Sequence, residues 1–241
     1  MLNKVTIPSP PLGPPVSQLV NCLVFLPFED KSNPATECHL FPSFDSNTNV
    51  NKLIEILDLA VRTYSDDVLN TCGSPLVRLL IRIAEASPSK PKSHLRARLL
   101  PSDQSRERVL GTGDSLPDML LKFCTSPAAP HLQQLVPALL FELSDRNPKR
   151  FTQNVGYGYA AGYLFSRGVQ LSPEDWGAGD SRNTIGRFEC NPITGQRRDM
   201  ELKHDLPKMT DEEKEREAER LFVLFERSAP TSVSFLLTDG L

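Results

Sequence analysis

The six residues Gly156-x-Gly158-x-x-Ala161 carry the one spacing in this chain that matches a defined piece of chemistry. It is the glycine-rich turn that cradles the pyrophosphate of a dinucleotide. That chemistry needs an apolar strand entering the turn and a helix leaving it, so that the phosphates meet a helix N-terminus. The residues before the turn, Asn147 to Asn154, are polar and carry Pro148, which is how a helix starts. Asp175 stands near the offset of a ribose-binding acid, yet no second strand leads to it. A dinucleotide-dependent enzyme is thus the weaker reading of this segment, and cofactor binding would be needed to revive it.

Other chemistry finds little support. His39, His94, His131 and His204 are scattered, and no pair among Cys22, Cys38, Cys72, Cys124 and Cys190 has zinc-ligand spacing. Cys38 and His39 are adjacent and by themselves make no site. The expectation is no metal, no cofactor, no catalytic residue, and reduced thiols. A net charge of −3 with pI near 5.9 gives no basic footprint for nucleic acid. No apolar run reaches the ~20 residues that cross a bilayer, and Lys4 is followed by no apolar signal core before Pro8. The chain reads as soluble and cytoplasmic. Arg78 and Arg82 lie one turn apart beside an apolar stripe, either as a cationic strip for a partner or as ordinary solvated arginines.

The elements that must position these residues read as helices. Pro8, Pro10, Pro11, Pro14 and Pro15 make residues 1–15 a proline-rich extended arm. Val16 to Leu26 form a short apolar helix, and residues 30–46 a loop. Leu53, Ile56, Leu57, Ala60, Val61 and Tyr64 form an i, i+3, i+4, i+7 stripe, and Leu76, Leu79, Leu80, Ile83 and Ala84 repeat it after Ser74-Pro75. Residues 87–93 and 101–114 are polar connectors flanking a short helix around Leu95–Leu100. Two more helices carry Leu116 to Phe123 and Leu132 to Leu143, and Pro137 is expected to kink the second or mark its start. No β-strand alternation is evident. Amphipathic helices of about four turns without strands point to an armadillo- or HEAT-like α-solenoid.

Arg150 to Gly168 holds four glycines and three tyrosines in a segment otherwise patterned as helix. Gly158, Ala160, Ala161 and Gly162 let a helix approach its neighbour, Gly156 suits a positive-φ turn, and Gly168 suits a helix C-cap. Tyr157, Tyr159 and Tyr163 are packing residues or aromatic contacts for a partner. Farther on come Asn191-Pro192-Ile193-Thr194-Gly195 and then Met209 to Phe222. Thr210-Asp-Glu-Glu213 is a capping box, with Asp211 and Glu212 favourable to the helix dipole and Glu212–Arg216 an i, i+4 pair. Ala218, Leu221, Phe222 and Phe225 give that helix an apolar face that must dock on something.

These blocks, in this order and separation, resemble the C-terminal part of the synembryn family, helical-repeat chaperones and guanine-nucleotide exchange factors for G-protein alpha subunits. The "GYG-x-AAG-x-L-x-x-RG" pattern is matched at Gly156–Gly168; the resemblance is strong over about 137–227 and looser over 15–110, and stops after Arg227. It implies an all-α solenoid with a flexible tail and one C-terminal helix: arm 1–15, helical repeats 16–169, flexible acidic linker 170–209, amphipathic helix 210–227, atypical tail 228–241. It implies a non-enzymatic factor that binds GDP-bound or nucleotide-free alpha subunits and promotes GDP release, recruited to membranes only through that subunit. Candidate partner contacts are Arg78, Arg82, Tyr157, Tyr159, Arg216 and Arg220. Relatives carry phosphorylated acidic serine and threonine sites in the linker. Ser172 with Asp175 is the nearest match, and Pro173 departs from that kinase preference. The alternatives are an armadillo-like scaffold for another helical partner, or an inactive truncated fragment of a longer chain.

Overall fold

A computed structural model describes residues 6–25, 47–86, 89–169, 184–185, 188–201 and 210–228. The chain divides into two compact units, Met1–Glu201 and Leu202–Leu241, taken here one at a time.

The first unit is built from α1 (Val16–Phe25), α2 (Thr48–Thr63), α3 (Asp66–Cys72), α4 (Ser74–Ala86), α5 (Ser89–Leu99), α6 (Leu116–Phe123), α7 (Pro130–Leu143), α8 (Pro148–Val155) and α9 (Tyr157–Ser166). Helix α4 is its hub, packing on α7, α1 and α2. The stripe that predicted it, Leu76, Leu79, Leu80, Ile83 and Ala84, is buried, and Val77 is buried beside it; all are essentially inaccessible. Each fully buried leucine or isoleucine there stabilises the unit by about 1.5–3 kcal/mol relative to exposure. Helix α2 buries Leu53, Ile54, Ile56, Leu57 and Ala60, a face wide enough to meet α4, α5 and α6.

Side chains cap the N-termini of α6, α7 and α8. Ser115 caps α6: its hydroxyl accepts from Asp118 N–H at 3.4 Å and donates to Asp118 Oδ2 at 2.6 Å. Asn70, in α3, caps α7 from another helix, its Oδ1 accepting from His131 N–H at 2.7 Å and Leu132 N–H at 3.2 Å. Asn147 caps α8, accepting from Arg150 N–H at 3.0 Å. Helix α7 runs through Pro137, which is buried inside it rather than at its start.

The structure departs from the sequence reading in several places. Residues 8–15 are not an extended arm: Leu12 is buried, its N–H donates to the Tyr64 hydroxyl at 3.1 Å, and Gly13 N–H closes a turn on Pro10 O at 2.9 Å. Helix α3 lies between the two apolar stripes, in residues given no element from the sequence, and is held by the burial of Leu69 and Asn70. Helix α5 begins at Ser89, within the expected connector. It buries Leu95 and Leu99, while Lys92 pairs with Glu142 at 3.1 Å and Arg96 pairs with Asp145. A two-residue antiparallel ladder, β1 (Thr184–Ile185) with β2 (Phe188–Glu189), pairs Thr184 with Glu189 and Ile185 with Phe188.

The second unit contains α10 (Asp211–Ser228). Its capping box is formed as the sequence predicts: Thr210 N–H donates to Glu213 Oε2 at 2.9 Å, and Glu213 N–H donates to Thr210 Oγ1 at 3.3 Å. The expected Glu212–Arg216 ion pair is replaced: Arg216 Nε donates to the Glu212 carbonyl at 3.4 Å. The ion pairs instead span i, i+3, Asp211–Lys214 at 2.8 Å and Glu217–Arg220 at 3.8 Å. Leu221, Phe222, Val223 and Leu224 are exposed. No helix among the described residues is long and apolar enough to cross a membrane.

Candidate functional site

The two marked stretches of the sequence, the glycine-tyrosine segment and Asn191–Gly195, come together in space. The chain leaves α8 through Gly156, whose φ of +82° and ψ of +146° suit no side-chain-bearing residue. A Cβ there would also lie 2.8 Å from Ile193 O. The turn allows Tyr157 N–H to donate to Pro192 O at 2.8 Å and Gly158 N–H to Ile193 O at 3.1 Å. Two of the orphan donors at the N-terminus of α9 are thereby met by carbonyls of a strap, residues 188–201, that returns from farther along the chain. This strap lies inside the stretch read as a flexible linker, yet it is seated on helices.

That arrangement answers the nucleotide reading. The residues entering the turn form helix α8, not a strand, and the first N–H groups of α9 are turned to protein carbonyls rather than to an open phosphate cradle.

The strap's own fold is local. Asn191 Oδ1 accepts from Ile193 N–H at 2.9 Å and Thr194 N–H at 3.3 Å, and Asn191 N–H donates to Gln196 O at 2.7 Å. Gly195 closes the turn with φ of +69°, and a Cβ there would sit 2.3 Å from Leu110 Cδ1. Leu110 N–H donates to Thr194 O at 3.3 Å, and Arg197 N–H to Arg106 O at 2.8 Å.

Arg106 is the residue the sequence reading missed. It lies in a 3₁₀ turn, Ser105–Glu107, in a stretch taken as a polar connector, and is almost fully buried. Its Nη1 donates to Gly195 O at 3.1 Å, and its Nη2 to Gln153 O at 3.2 Å and Asn154 O at 2.8 Å. One guanidinium thus joins the strap to the last carbonyls of α8, where a cation also complements the helix dipole. Burial draws the pKa of Arg106 down, opposed by Cys190 and Asp103. Burial likewise pushes the Cys190 thiol up, opposed by Arg106.

The tyrosines divide by role. Tyr159 donates its hydroxyl to Leu110 O at 3.0 Å over Gly111, whose φ is +79°. Burial, then Cys124 and Asp118, raise its pKa. Tyr163 packs with Phe141 and Phe151 at centroid distances of 5.6 and 5.9 Å, and Arg167 lies 5.2 Å over its ring. Tyr157 is half-exposed. Helix α9 ends in a Schellman motif: Val169 N–H donates to Leu164 O and Gly168 N–H to Phe165 O, both at 3.0 Å, with Gly168 at φ of +68°.

The other candidates are placed apart. Arg78 is exposed on α4, whereas Arg82, half-buried, donates from Nη1 to Val24 O at the end of α1, a structural tie. Arg216 and Arg220 are exposed on α10. Ser172 lies outside the described residues. No group of three or more His, Cys, Asp or Glu side chains among the described residues is arranged to hold a metal, and Cys22, Cys72, Cys124 and Cys190 form no disulfide.

Comparison with known proteins matches these features to one family. The chain is 31% identical over 147 residues to a synembryn-like chaperone of Schizosaccharomyces pombe, covering 56% of this chain and 28% of that protein. It is 26% identical over 185 residues to the chaperone Ric-8A of Rattus norvegicus, covering 74% and 34%. It is 28% identical over 163 residues to the chaperone Ric-8 of Drosophila melanogaster, covering 64% and 28%. The chain therefore spans about a third or less of the length of these curated relatives. Residues 1–234 match the family described as the guanine nucleotide exchange factor synembryn, a match that reaches past Arg227, where the sequence resemblance was expected to stop. With its glycine-tyrosine helix and its strap joined as one structure, the chain belongs to the synembryn family.

Proposed function

We propose that this chain binds G-protein alpha subunits, acting as a chaperone of the nucleotide-free form and promoting GDP release. The observation that carries the reading is the synembryn match over residues 1–234, laid on a mainly helical unit whose marked segments fold together. The helical unit is read as the last repeats of an armadillo- or HEAT-like solenoid, with the strap closing its end and α10 adding a second contact. Exposed Arg78, half-exposed Tyr157, and Arg216 and Arg220 on α10 are the contact candidates that lie at the surface. Tyr159 and Arg82 are assigned internal roles instead.

No bond is made or broken in this reading. A protein that binds the nucleotide-free conformation more tightly than the GDP-bound one shifts the equilibrium by that difference alone. A hundredfold preference corresponds to about 2.7 kcal/mol, within the usual range of coupling energies. Membrane recruitment, in this reading, comes through the alpha subunit. The test is capture of a purified alpha subunit on the immobilised chain, together with its rate of GDP release. A folded chain that captures other amphipathic helices but no alpha subunit would replace this reading with a general helical scaffold.

A further inference from the structure

The strap is fastened in an unusual way for a segment seated on a core. Between Cys190 and Arg197, only Cys190 and Gly195 are buried, while Ile193 is 54% exposed. Its attachment is polar and mostly main-chain: Tyr157 and Gly158 to Pro192 and Ile193, Leu110 to Thr194, and Arg197 to Arg106. Gln196 Nε2 adds a bond to Glu107 O at 3.3 Å. A segment that buries one small side chain, Cys190, and is otherwise held by hydrogen bonds opens at a lower free energy than the core beneath it. The Arg106 side chain grips both sides, holding Gly195 on the strap and Gln153 and Asn154 on α8.

We propose that Arg106 is a latch, and that residues 190–197 lift from α8 and α9 as one unit when it releases. Lifting frees the N–H groups of Tyr157 and Gly158 and bares the Cys190 thiol, while the helical unit stays folded. The chain then has a seated and a lifted state at the α9 end of its helical unit. Arg106 acts here as a positioning residue, through the strap it holds. The inference stands without reference to any partner.

The Cys190 thiol reports the state directly. It is inaccessible when the strap is seated, and a thiol is alkylated in proportion to its exposure and its thiolate fraction. Cys72 and Cys124, in and after the helices of the core, serve as internal references. The experiment is iodoacetamide labelling of the 241-residue chain under native conditions, with each cysteine quantified by peptide mass spectrometry. Arg106→Met removes the latch. Gly195→Ala unseats the strap from its other side, because its Cβ would meet Leu110. Both variants are expected to speed labelling of Cys190 by about tenfold or more while Cys72 and Cys124 keep their wild-type rates. Unchanged labelling at Cys190 in both variants would overturn the proposal. So would a joint rise at Cys72, Cys124 and Cys190 in both, including through failure to fold, since the strap would then be inseparable from the core.

Discussion

Tyr159 and Gly111 act as a pair. The tyrosine hydroxyl donates to Leu110 O at 3.0 Å, and it reaches there because Gly111 has no Cβ; one would lie 2.2 Å from the Tyr159 hydroxyl oxygen. Tyr159→Phe removes a single half-buried hydrogen bond and should cost about 0.5–1.5 kcal/mol in urea unfolding. Gly111→Ala keeps the bond's chemistry but combines a positive φ with a clash. It should cost more, about 1–3 kcal/mol or above. The reverse order would mean that Tyr159 moves aside freely and is a surface contact after all. Cys124 makes a prediction in pH. Burial pushes its thiol up to about 12, so the folded chain holds that proton more tightly than the unfolded chain. Its contribution is intact below the unfolded thiol value of about 8.5 and is lost as pH rises toward about 12. Cys124→Ala should therefore flatten the alkaline fall of the urea midpoint between about pH 8 and about pH 10. An equally steep fall in both proteins would show that other groups carry the whole alkaline dependence.

Among the elements, stability and exposure separate cleanly. Leu80 in α4 is fully buried between helices, and Leu80→Ala should cost about 2–5 kcal/mol through lost contacts and the cavity left behind. Leu221 in α10 is 49% exposed, and Leu221→Ala should change stability by less than about 0.5 kcal/mol. Thermal or urea unfolding of the two variants checks this; a comparable loss at Leu221 would mean that α10 contributes a buried face to the fold. The legibility of the elements follows the same division. Helices α2, α4, α6 and α7 were readable because their apolar residues recur every three to four positions over two turns or more. Helix α3 was not, because its seven residues bury only Leu69 and Asn70, and α5 was readable only in its second half, around Leu95, because cations outnumber the two leucines it buries. The two-residue strands are too short to show a period.

The site was legible in part for a similar reason. Gly156, Gly168 and the capping box announced themselves because local backbone geometry demands those residue types. The meeting of Asn191–Gly195 with α9 did not, since the bonds from Tyr157 and Gly158 to Pro192 and Ile193 run between backbone groups that every sequence possesses. Arg106 was hidden most completely. It sits among polar neighbours, and the carbonyls it holds are 47, 48 and 89 residues away.

At the scale of the whole molecule, one helical unit ends in a strap, and a second unit supplies a charged, capped helix. The family match covers nearly all of this chain, while the chain covers 28–34% of the curated relatives named above. The activity proposed therefore rests on a match to about a third or less of those relatives, and differential binding requires only that the chain favour one state of its partner. The measurement that bears most directly on this is GDP release from a purified alpha subunit with and without the 241-residue chain, read beside capture of the subunit on the immobilised chain. The account predicts capture together with faster release. Capture without acceleration would restrict this length of chain to holding the subunit, and a well-folded chain that neither captures the subunit nor alters its GDP release would contradict the account.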